Sequence, residues 1–596
     1  MCGIFGYYDL TKESMSFDMF KAMGDSIRHR GPDGQGIHYD HNQYFALGNQ
    51  RLAILDLEHG DQPFYSDSKD IIVVQNGEIF NHVELANQLA EDGYPCKTNC
   101  DTETILRLYE RDGISGISSL NGMFAIAIYD KRIDAMFLIR DRVGEKPLHF
   151  CLDNNRLVFA SEIKALLKAV TQVKLDEKAL HEFLSFNYVP MPNTMFSGVF
   201  HVKPGHYLKV DTKGVEEAKW WDLSSITQQA RSETSWIADF NSILEDSVKI
   251  RLRSDVPFGA FLSGGVDSSS VVGIMSKHMK QKVKTYCIGF NDPKYDESPF
   301  AETAAERFGT EHKLRKVEPN LLSEWSKATY HCDQPHGDVS FLPTLKVAEL
   351  ASEDVKMVLT GDGADELFAG YDKYKDFFHN HDTTKLDSDD FAKLYAKNIS
   401  LFTKNELNTL LKNSPESHPD YCQERVKSLI DEVPHMDRVN QALYIDTQLL
   451  LSGNNLVKPD RMGMAVSIEN RAPFLDYRMI ELAFSMPGEL KLSDGETKYI
   501  YKKAVSPLIG SDLAYRKKQM FTVPVGEWFK DSMKEYCKEL LFSADSVLKN
   551  YVNEEEVSDL FEKHCNNIEN NTRKIRALLA LELWCREFLS DDIAIR

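Results

Sequence analysis

Long apolar runs are missing from this chain. None approaches the roughly 20 residues that a helix needs to cross a bilayer. The first residues carry no basic segment ahead of their short apolar stretch and meet Asp9 early, which is not the pattern of a secretory signal. Cysteine is sparse, 10 in 596 residues, and scattered. Only Cys96 and Cys100 lie close together, and no second pair or histidine cluster completes a zinc site. Reduced thiols and a cytoplasmic location are the default expectation. An excess of positive charge is also absent. The formal net charge of −21 argues against nonspecific binding to nucleic acid or to an anionic membrane, so neither is expected as a partner. Any anion site must be made locally, from backbone amides, Lys, Arg or a metal ion.

What is present is a hydrophobic content of 42% with 27% charged residues, the composition of a soluble globular chain. A length of 596 residues exceeds one ordinary core and permits about four domains. The most informative stretch is Phe258-Gly-Ala-Phe-Leu-Ser-Gly-Gly-Val-Asp-Ser-Ser-Ser270. An apolar run, a turn of small residues and a helix-compatible segment give strand, tight loop and helix, which aim free backbone N–H groups at an anion. Ser263 and Ser268 add hydroxyls, and Asp267 offers a carboxylate to a phosphate-borne Mg²⁺. The Gly-Lys-Ser/Thr ending of a Walker A loop is lacking, so γ-phosphoryl transfer is not the natural chemistry. The plain alternative is a serine-capped helix after a glycine turn. The full Ser-Gly-Gly-Val-Asp-Ser string resembles instead the pyrophosphate loop of ATP pyrophosphatases, which make adenylates and release pyrophosphate.

At the other end of the chain, Cys2 follows the initiator Met. Removal of Met1 would give Cys2 its own α-amine, a proton acceptor within one residue of the thiol. Arg28-His-Arg-Gly-Pro-Asp33 follows as a basic turn, and Gln50-Arg-Leu-Ala-Ile-Leu-Asp56 sets an arginine at the head of an expected strand. Arg is the residue suited to grip a carboxylate bidentately. In Gln75-Asn-Gly-Glu-Ile-Phe-Asn81 the Asn76 side chain and the Gly77 amide are placed to serve as oxyanion donors, although Asn-Gly is otherwise a hairpin turn. Asp101 offers a carboxylate to an ammonium group. These stretches, with Leu120–Ala125, Arg140–Gly144 and Ala160–Ala165, resemble the class II glutamine amidotransferase domain, an N-terminal-nucleophile hydrolase of αββα layers. The resemblance implies Cys2 as nucleophile, Asn76 and Gly77 as oxyanion hole, and Arg51, Asn76, Glu78 and Asp101 as holders of glutamine. Val143-Gly-Glu-Lys-Pro147 stands where the family usually has Gly-x-Lys/Arg-Pro-Leu/Phe, a pattern that Lys146-Pro147-Leu148 still fits.

Alternation of strand and helix from Phe258 onward predicts a parallel sheet with helices on both faces. The predicted strands are Phe258–Leu262, Val283–Phe290, one from His312, and Val355–Thr360, the last running into Thr360-Gly-Asp-Gly-Ala-Asp-Glu366. Ligands collect at the carboxyl ends of such strands, so this acidic loop is expected to face Ser263. Leu359–Tyr371, Lys458–Ala465, Glu469–Asp476, Gly495–Tyr499 and the late Arg516–Phe521 motif together resemble glutamine-hydrolysing asparagine synthetases, over nearly the whole chain. The resemblance implies ATP contacts from Leu262, Ser263, Gly264, Gly265, Asp267, Ser268, Ile288, Thr360 and Gly361. It implies Mg²⁺ on Asp267 and Asp365, catalytic roles for Asp362 and Lys498, and aspartate as the carboxylate amidated, with ATP cleaved to AMP and pyrophosphate. Asp362 stands where the aspartate-specific bacterial form has Glu, and Asp333–Pro343 also differs from that form. Another carboxylate acceptor, such as a uronic acid of a surface polysaccharide, therefore stays open. A β-lactam-synthetase-like enzyme and an inactive scaffold are disfavoured by the intact Cys2, Asn76 and Lys498. The expected division is a glutaminase domain at 1–210, a linker at 211–235 and an α/β ATP-dependent synthetase domain at 236–596. The helical tail beyond Phe529 carries Trp584 and no motif, and is expected to be structural. A homodimer is left open.

Overall fold

The computed structural model describes residues 2–293, 295–317, 319–413, 419–517 and 525–589. Its first strands are β1 (Cys2–Asp9), β2 (Gly34–His38), β3 (Phe45–Arg51), β4 (Phe64–Tyr65), β5 (Ile71–Ile79) and β6 (Gly122–Asp130). They are followed by β7 (Ala135–Arg140), β8 (His149–Asp153), β9 (Arg156–Ala160), β10 (Val199–His201), β11 (His206–Asp211) and β12 (Gly214–Lys219). These strands form two antiparallel sheets, ordered β10-β8-β9-β1-β3-β2 and β12-β11-β7-β6-β5-β4. β12 lies within the stretch 211–235 and adds an edge strand to the second sheet.

The sheets stack through Ile4, Tyr8, Leu47, Val74, Ala125, Leu138 and Phe159, all buried between them. Helix Phe17–Ser26 packs Phe20 and Met23 against the outer side of β1 through Phe5 and Tyr7. Helices His82–Glu91 and Asp101–Asp112 bring Leu89 and Ile105 onto Val73, Ile126 and Phe137 of the other sheet. The layers are therefore helix, sheet, sheet, helix. Covered on both faces, β1 is buried along its whole length, which explains its near-continuous apolar sequence. Gly48 opposite Phe5 is required by packing, because a Cβ there would sit 2.3 Å from the Phe5 ring.

The second half holds β13 (Phe258–Phe261), β14 (Lys284–Phe290), β15 (Glu311–Val317), β16 (Met357–Leu359) and β17 (Glu469–Arg471). All five are parallel in the order β15-β14-β13-β16-β17. Met357 and Leu359 join one apolar cluster with helix Val266–His278, while Val358 joins another with helix Phe341–Ser352. That alternation places helices on both faces, as the sequence pattern predicts. The chain leaves β13 towards β14 and β15, then returns to β16 on its other side, so the carboxyl ends of β13 and β16 border a switch-point crevice. The remainder is mainly helical and ends in helix Thr572–Phe588. One apolar cluster runs from Phe5 and Phe183 to Trp325 and Trp584, so the two halves share a core. No helix among the described residues is long and apolar enough to cross a membrane.

One local expectation fails, and one plain alternative is excluded. Arg51 is the last residue of β3, not the head of a strand. Asn76-Gly77 sits inside β5, paired with Ala125 and Phe124, and makes no hairpin.

Candidate active sites

Cys2 opens β1 at a buried position, and its backbone nitrogen donates to Asn76 Oδ1 at 3.1 Å. Burial pushes the Cys2 thiol up from its usual range, against the Leu52 backbone, the Asn49 side chain and Arg51, which favour the thiolate. Asn76 Nδ2 points to Ser161 Oγ at 3.4 Å. Gly77 admits no side chain, since a Cβ there would lie 2.1 Å from the Met123 carbonyl oxygen. Asp101 accepts from the Ile79 amide at 2.9 Å and from Gln75 Nε2 at 3.0 Å, which fixes the end of β5. Arg51 closes the loop after β3: its guanidinium donates to Asp61 at 2.7 Å and to the carbonyls of Leu55, Asp56 and Leu57. Glu78 is buried, with Oε2 bound by Arg471 at 3.0 Å and no hydrogen bond to Oε1 among the described residues. Burial, then Asp101, raise the Glu78 carboxyl well above its ordinary range, with Arg471 opposing.

The second constellation forms where β13 and β16 end. Gly264 takes φ +69°, and a Cβ there would strike the Phe300 backbone at 2.3 Å, so only glycine fits this turn. Ser263 and Ser268 hydroxyls lie 3.2 Å apart across it, and Leu262 joins β14 through the Tyr286 carbonyl at 3.0 Å. Ile288 is buried in β14. The acidic loop does face this one: a Cβ on Gly361 would fall 2.6 Å from Asp267 Cβ. Thr360 donates to Asp362 at 2.7 Å. Burial raises the Asp362 carboxyl above its usual range, Thr360 and Lys458 lower it, and Asp267 and Asp365 raise it further. Lys498 Nζ lies between Asp267, at 2.6 and 2.8 Å, and Asp365, at 2.7 Å. Burial alone depresses an ammonium, but the two carboxylates overcome it and lift Lys498 above its ordinary value. Of the late motif, 518–524 lies outside the described residues; Arg516 donates to the Gly264 carbonyl at 2.8 Å and pairs with Glu297 at 3.1 Å.

Comparison with known proteins finds a family model for each half of the chain. The asparagine synthase family model matches residues 239–586, and the glutamine amidotransferase domain model matches residues 1–221. The chain is 31% identical over 98% of its length to asparagine synthetase [glutamine-hydrolyzing] 1 of Bacillus subtilis, spanning 96% of that protein. The chain belongs to the asparagine synthase family. A second B. subtilis relative, asparagine synthetase [glutamine-hydrolyzing] 3, is 29% identical over 94% of this chain and 93% of its own. Amidase chyE of Penicillium rubens is 30% identical over 87% and 86%.

In this synthase the two constellations are joined by buried charge. Arg30, fully buried, donates to the Cys2 carbonyl at 3.1 Å, to Glu162 at 2.9 Å and to Asp460 at 2.9 and 3.1 Å. Arg461 pairs with Glu162 at 3.1 Å and Asp333 at 3.2 Å, and Lys164 with Asp333 at 2.7 Å. Arg471 reaches Glu78 from the far sheet, while its own carbonyl accepts the Thr360 amide at 2.9 Å. None of these bridging roles is visible locally: Arg30 and Asp460 are 430 positions apart. Asn49, beside the Cys2 thiol, adjoins a recognised motif and was within reach of the sequence.

A small cavity of mixed lining lies between the halves, with Glu145, His149 and Met191 on one side and Gln334, Leu456 and Arg461 on the other, and His201 and Cys332 beside them. Burial holds both imidazoles neutral, far below their usual range. Burial, then Asp141, push the Glu145 carboxyl up to about 8, against Arg251 and Lys146. Between about 4.5 and about 8 the folded state therefore holds a proton that the unfolded chain releases. The stability Glu145 lends is complete at low pH and is lost as pH rises through 8. Glu145→Gln should thus raise the urea midpoint at pH 9, by about 2 kcal/mol or more in stability, and change it far less at pH 5. A gain equal at both pH values would show that Glu145 is not held protonated.

Proposed function

We propose that the protein transfers the amide nitrogen of glutamine to aspartate, with ATP cleaved to AMP and pyrophosphate. Cys2 Sγ attacks the glutamine amide carbon, its proton passing to the Cys2 amine once Met1 is removed. Asn76 and the Gly77 amide stabilise the oxyanion. Ammonia leaves, and water releases glutamate from the thioester. The unsatisfied Glu78 Oε1 supports a place for the substrate ammonium. At the second site the aspartate β-carboxylate attacks the α-phosphorus of ATP on the Ser263 loop, expelling pyrophosphate and leaving β-aspartyl-AMP. Ammonia then attacks the acyl carbon, AMP departs, and one proton is lost.

The observation that carries this reading is the joining of two complete constellations through buried residues, Arg30 and Arg471, so that ammonia need not cross bulk water, where it would protonate. The neutral imidazoles of the intervening cavity support passage of an uncharged molecule. Asp267 and Asp365 converge on one cation, and no cluster of three or more metal-ligating side chains occurs among the described residues. Two carboxylates suit a Mg²⁺ carried on phosphates, not a protein cage. Bound there, the ion would neutralise charge on the pyrophosphate.

The direct test is AMP and pyrophosphate formation with glutamine, ATP, Mg²⁺ and a panel of carboxylates. Asparagine with stoichiometric AMP is the expected result from aspartate. AMP formed with a uronic acid and not with aspartate would replace the acceptor. ADP in place of AMP would overturn the chemistry.

A further inference from the structure

The late motif has no part in the chemistry proposed above, yet its first residue reaches the Ser263 loop. Arg516 follows helix Tyr499–Ile509, whose Ile500 and Val505 share an apolar cluster with Val271 and Met275 of helix Val266–His278. Arg307 pins the turn after Tyr499–Ile509, pairing with Asp512 at 2.8 Å and donating to the Ile509 carbonyl. The Arg516 side chain, only 10% exposed, then lies against the glycine turn. Its Nε donates to the Gly264 carbonyl at 2.8 Å and its Nη2 pairs with Glu297 at 3.1 Å. A Cβ on Gly265 would lie 3.7 Å from Nη2, and the guanidinium stands 4.4 Å from the Phe300 ring centre. The remaining nitrogen, Nη1, is buried and has no hydrogen-bond partner among the described residues. Gly265 is the N-cap of the 13-residue helix Val266–His278, whose first-turn amides have no partner within the helix. An unused buried donor on a cation therefore adjoins the positive end of a helix.

We propose that Arg516 binds the pyrophosphate portion of ATP, with Nη1 donating to its oxygens before and after the α–β bond breaks. The assignment rests on the reading of the second site as an AMP-forming adenylate site. A buried guanidinium nitrogen without a partner is costly unless a ligand supplies one, and phosphate is the ligand that suits both the guanidinium and the helix end. When the carboxylate attacks the α-phosphorus, the α–β anhydride bond breaks and its electron pair leaves on the pyrophosphate. Arg516 meets that charge without giving up a proton. Lys498 approaches the same loop at Asp267, whereas Arg516 approaches it at Gly264 and Gly265, so the two cations act on different parts of the bound nucleotide. The plain alternative is a brace, in which Arg516 only ties Glu297 to the Gly264 carbonyl.

The test measures pyrophosphate binding to the full chain in the presence of Mg²⁺, by titration calorimetry and as product inhibition against ATP. Arg516→Ala should weaken pyrophosphate about 10- to 100-fold, with inhibition by AMP and glutaminase turnover unmoved. Arg516→Lys should recover part of the loss. Glu297→Gln separates the contact from the brace, because the two make opposite demands on it. Removing the counter-charge while keeping the donor should leave pyrophosphate binding at the wild-type value or tighten it. A brace would be broken by either substitution, and both would weaken binding alike. Pyrophosphate bound by Arg516→Ala as tightly as by the wild type, weakened together with AMP, or weakened equally by Glu297→Gln overturns the assignment while the ligase reading stands. If Arg516→Ala fails to fold, Arg516→Lys and Glu297→Gln decide the matter on the same criteria. A wild-type enzyme that releases no pyrophosphate with aspartate or any other carboxylate overturns the ligase reading and the assignment with it.

Discussion

Replacing Cys2 by alanine is expected to abolish glutamine-dependent amide formation while synthesis from added ammonium continues near the wild-type rate. The thiol is buried beside Asn49, Arg51 and Leu52, and burial raises its pKa. It becomes a nucleophile only if a base takes its proton, and the nitrogen of Cys2, oriented by Asn76 Oδ1 at 3.1 Å, is the base within reach. Alanine removes the nucleophile and leaves the backbone contact. The adenylate site lies on another sheet and depends on none of the thiol's contacts, so external ammonia should still be used. Product formation measured with glutamine and with ammonium chloride separates the cases. Equal loss with both nitrogen sources would sink the two-site reading.

The second large effect belongs to Lys498. Attack of a carboxylate on the α-phosphorus builds negative charge on the phosphoryl oxygens and on departing pyrophosphate. The surroundings are acidic, with Asp267, Asp362 and Asp365 on the two facing loops. Lys498, held between two of them, is the buried cation that balances that charge. Loss of one such charge from a water-poor site costs about 3 kcal/mol in the transition state, so Lys498→Ala should cut pyrophosphate release about 100-fold or more while glutaminase turnover persists. Arginine should not restore it. Gly370 leaves no slack there: its Cβ position lies 2.2 Å from Lys498 Cε and 2.0 Å from Asp365 Oδ1. Lys503, half-buried and paired with Glu233 at 3.0 Å, is the control, and its alanine variant should keep both rates. Pyrophosphate release near the wild-type rate from Lys498→Ala would remove this residue from the site.

The Ser263 and Asp362 loops were legible because their geometry is local. A strand, a glycine turn and a helix in sequence create the anion site by themselves, and Gly264 and Gly361 stand where packing admits nothing larger. The parallel sheet followed from alternation, and the αββα layers came through the family resemblance. Arg51 was misplaced by a strand's length because the apolar residues after it read as a strand, whereas β3 precedes it. Asn76-Gly77 carries turn propensity, but pairing along β5 with the buried β6 overrides it. The bridging residues Arg30, Glu162, Asp460 and Arg471 give no local signal, since each buried charge finds its partner only when distant segments fold together.

Arg471 has a consequence for how the enzyme can be taken apart. Its carbonyl accepts the Thr360 amide at the head of the acidic loop, and its guanidinium holds Glu78 of the first half. Cutting the chain between the halves leaves Glu78 buried without its cation and Asp460 without Arg30, on top of an apolar cluster split open. Breaking one such buried pair typically costs about 3 to 5 kcal/mol. The two activities are therefore not interchangeable modules on a tether. A chimera that grafts a foreign glutaminase onto this ligase must import the matching acidic partners at the seam, whatever linker joins the pieces.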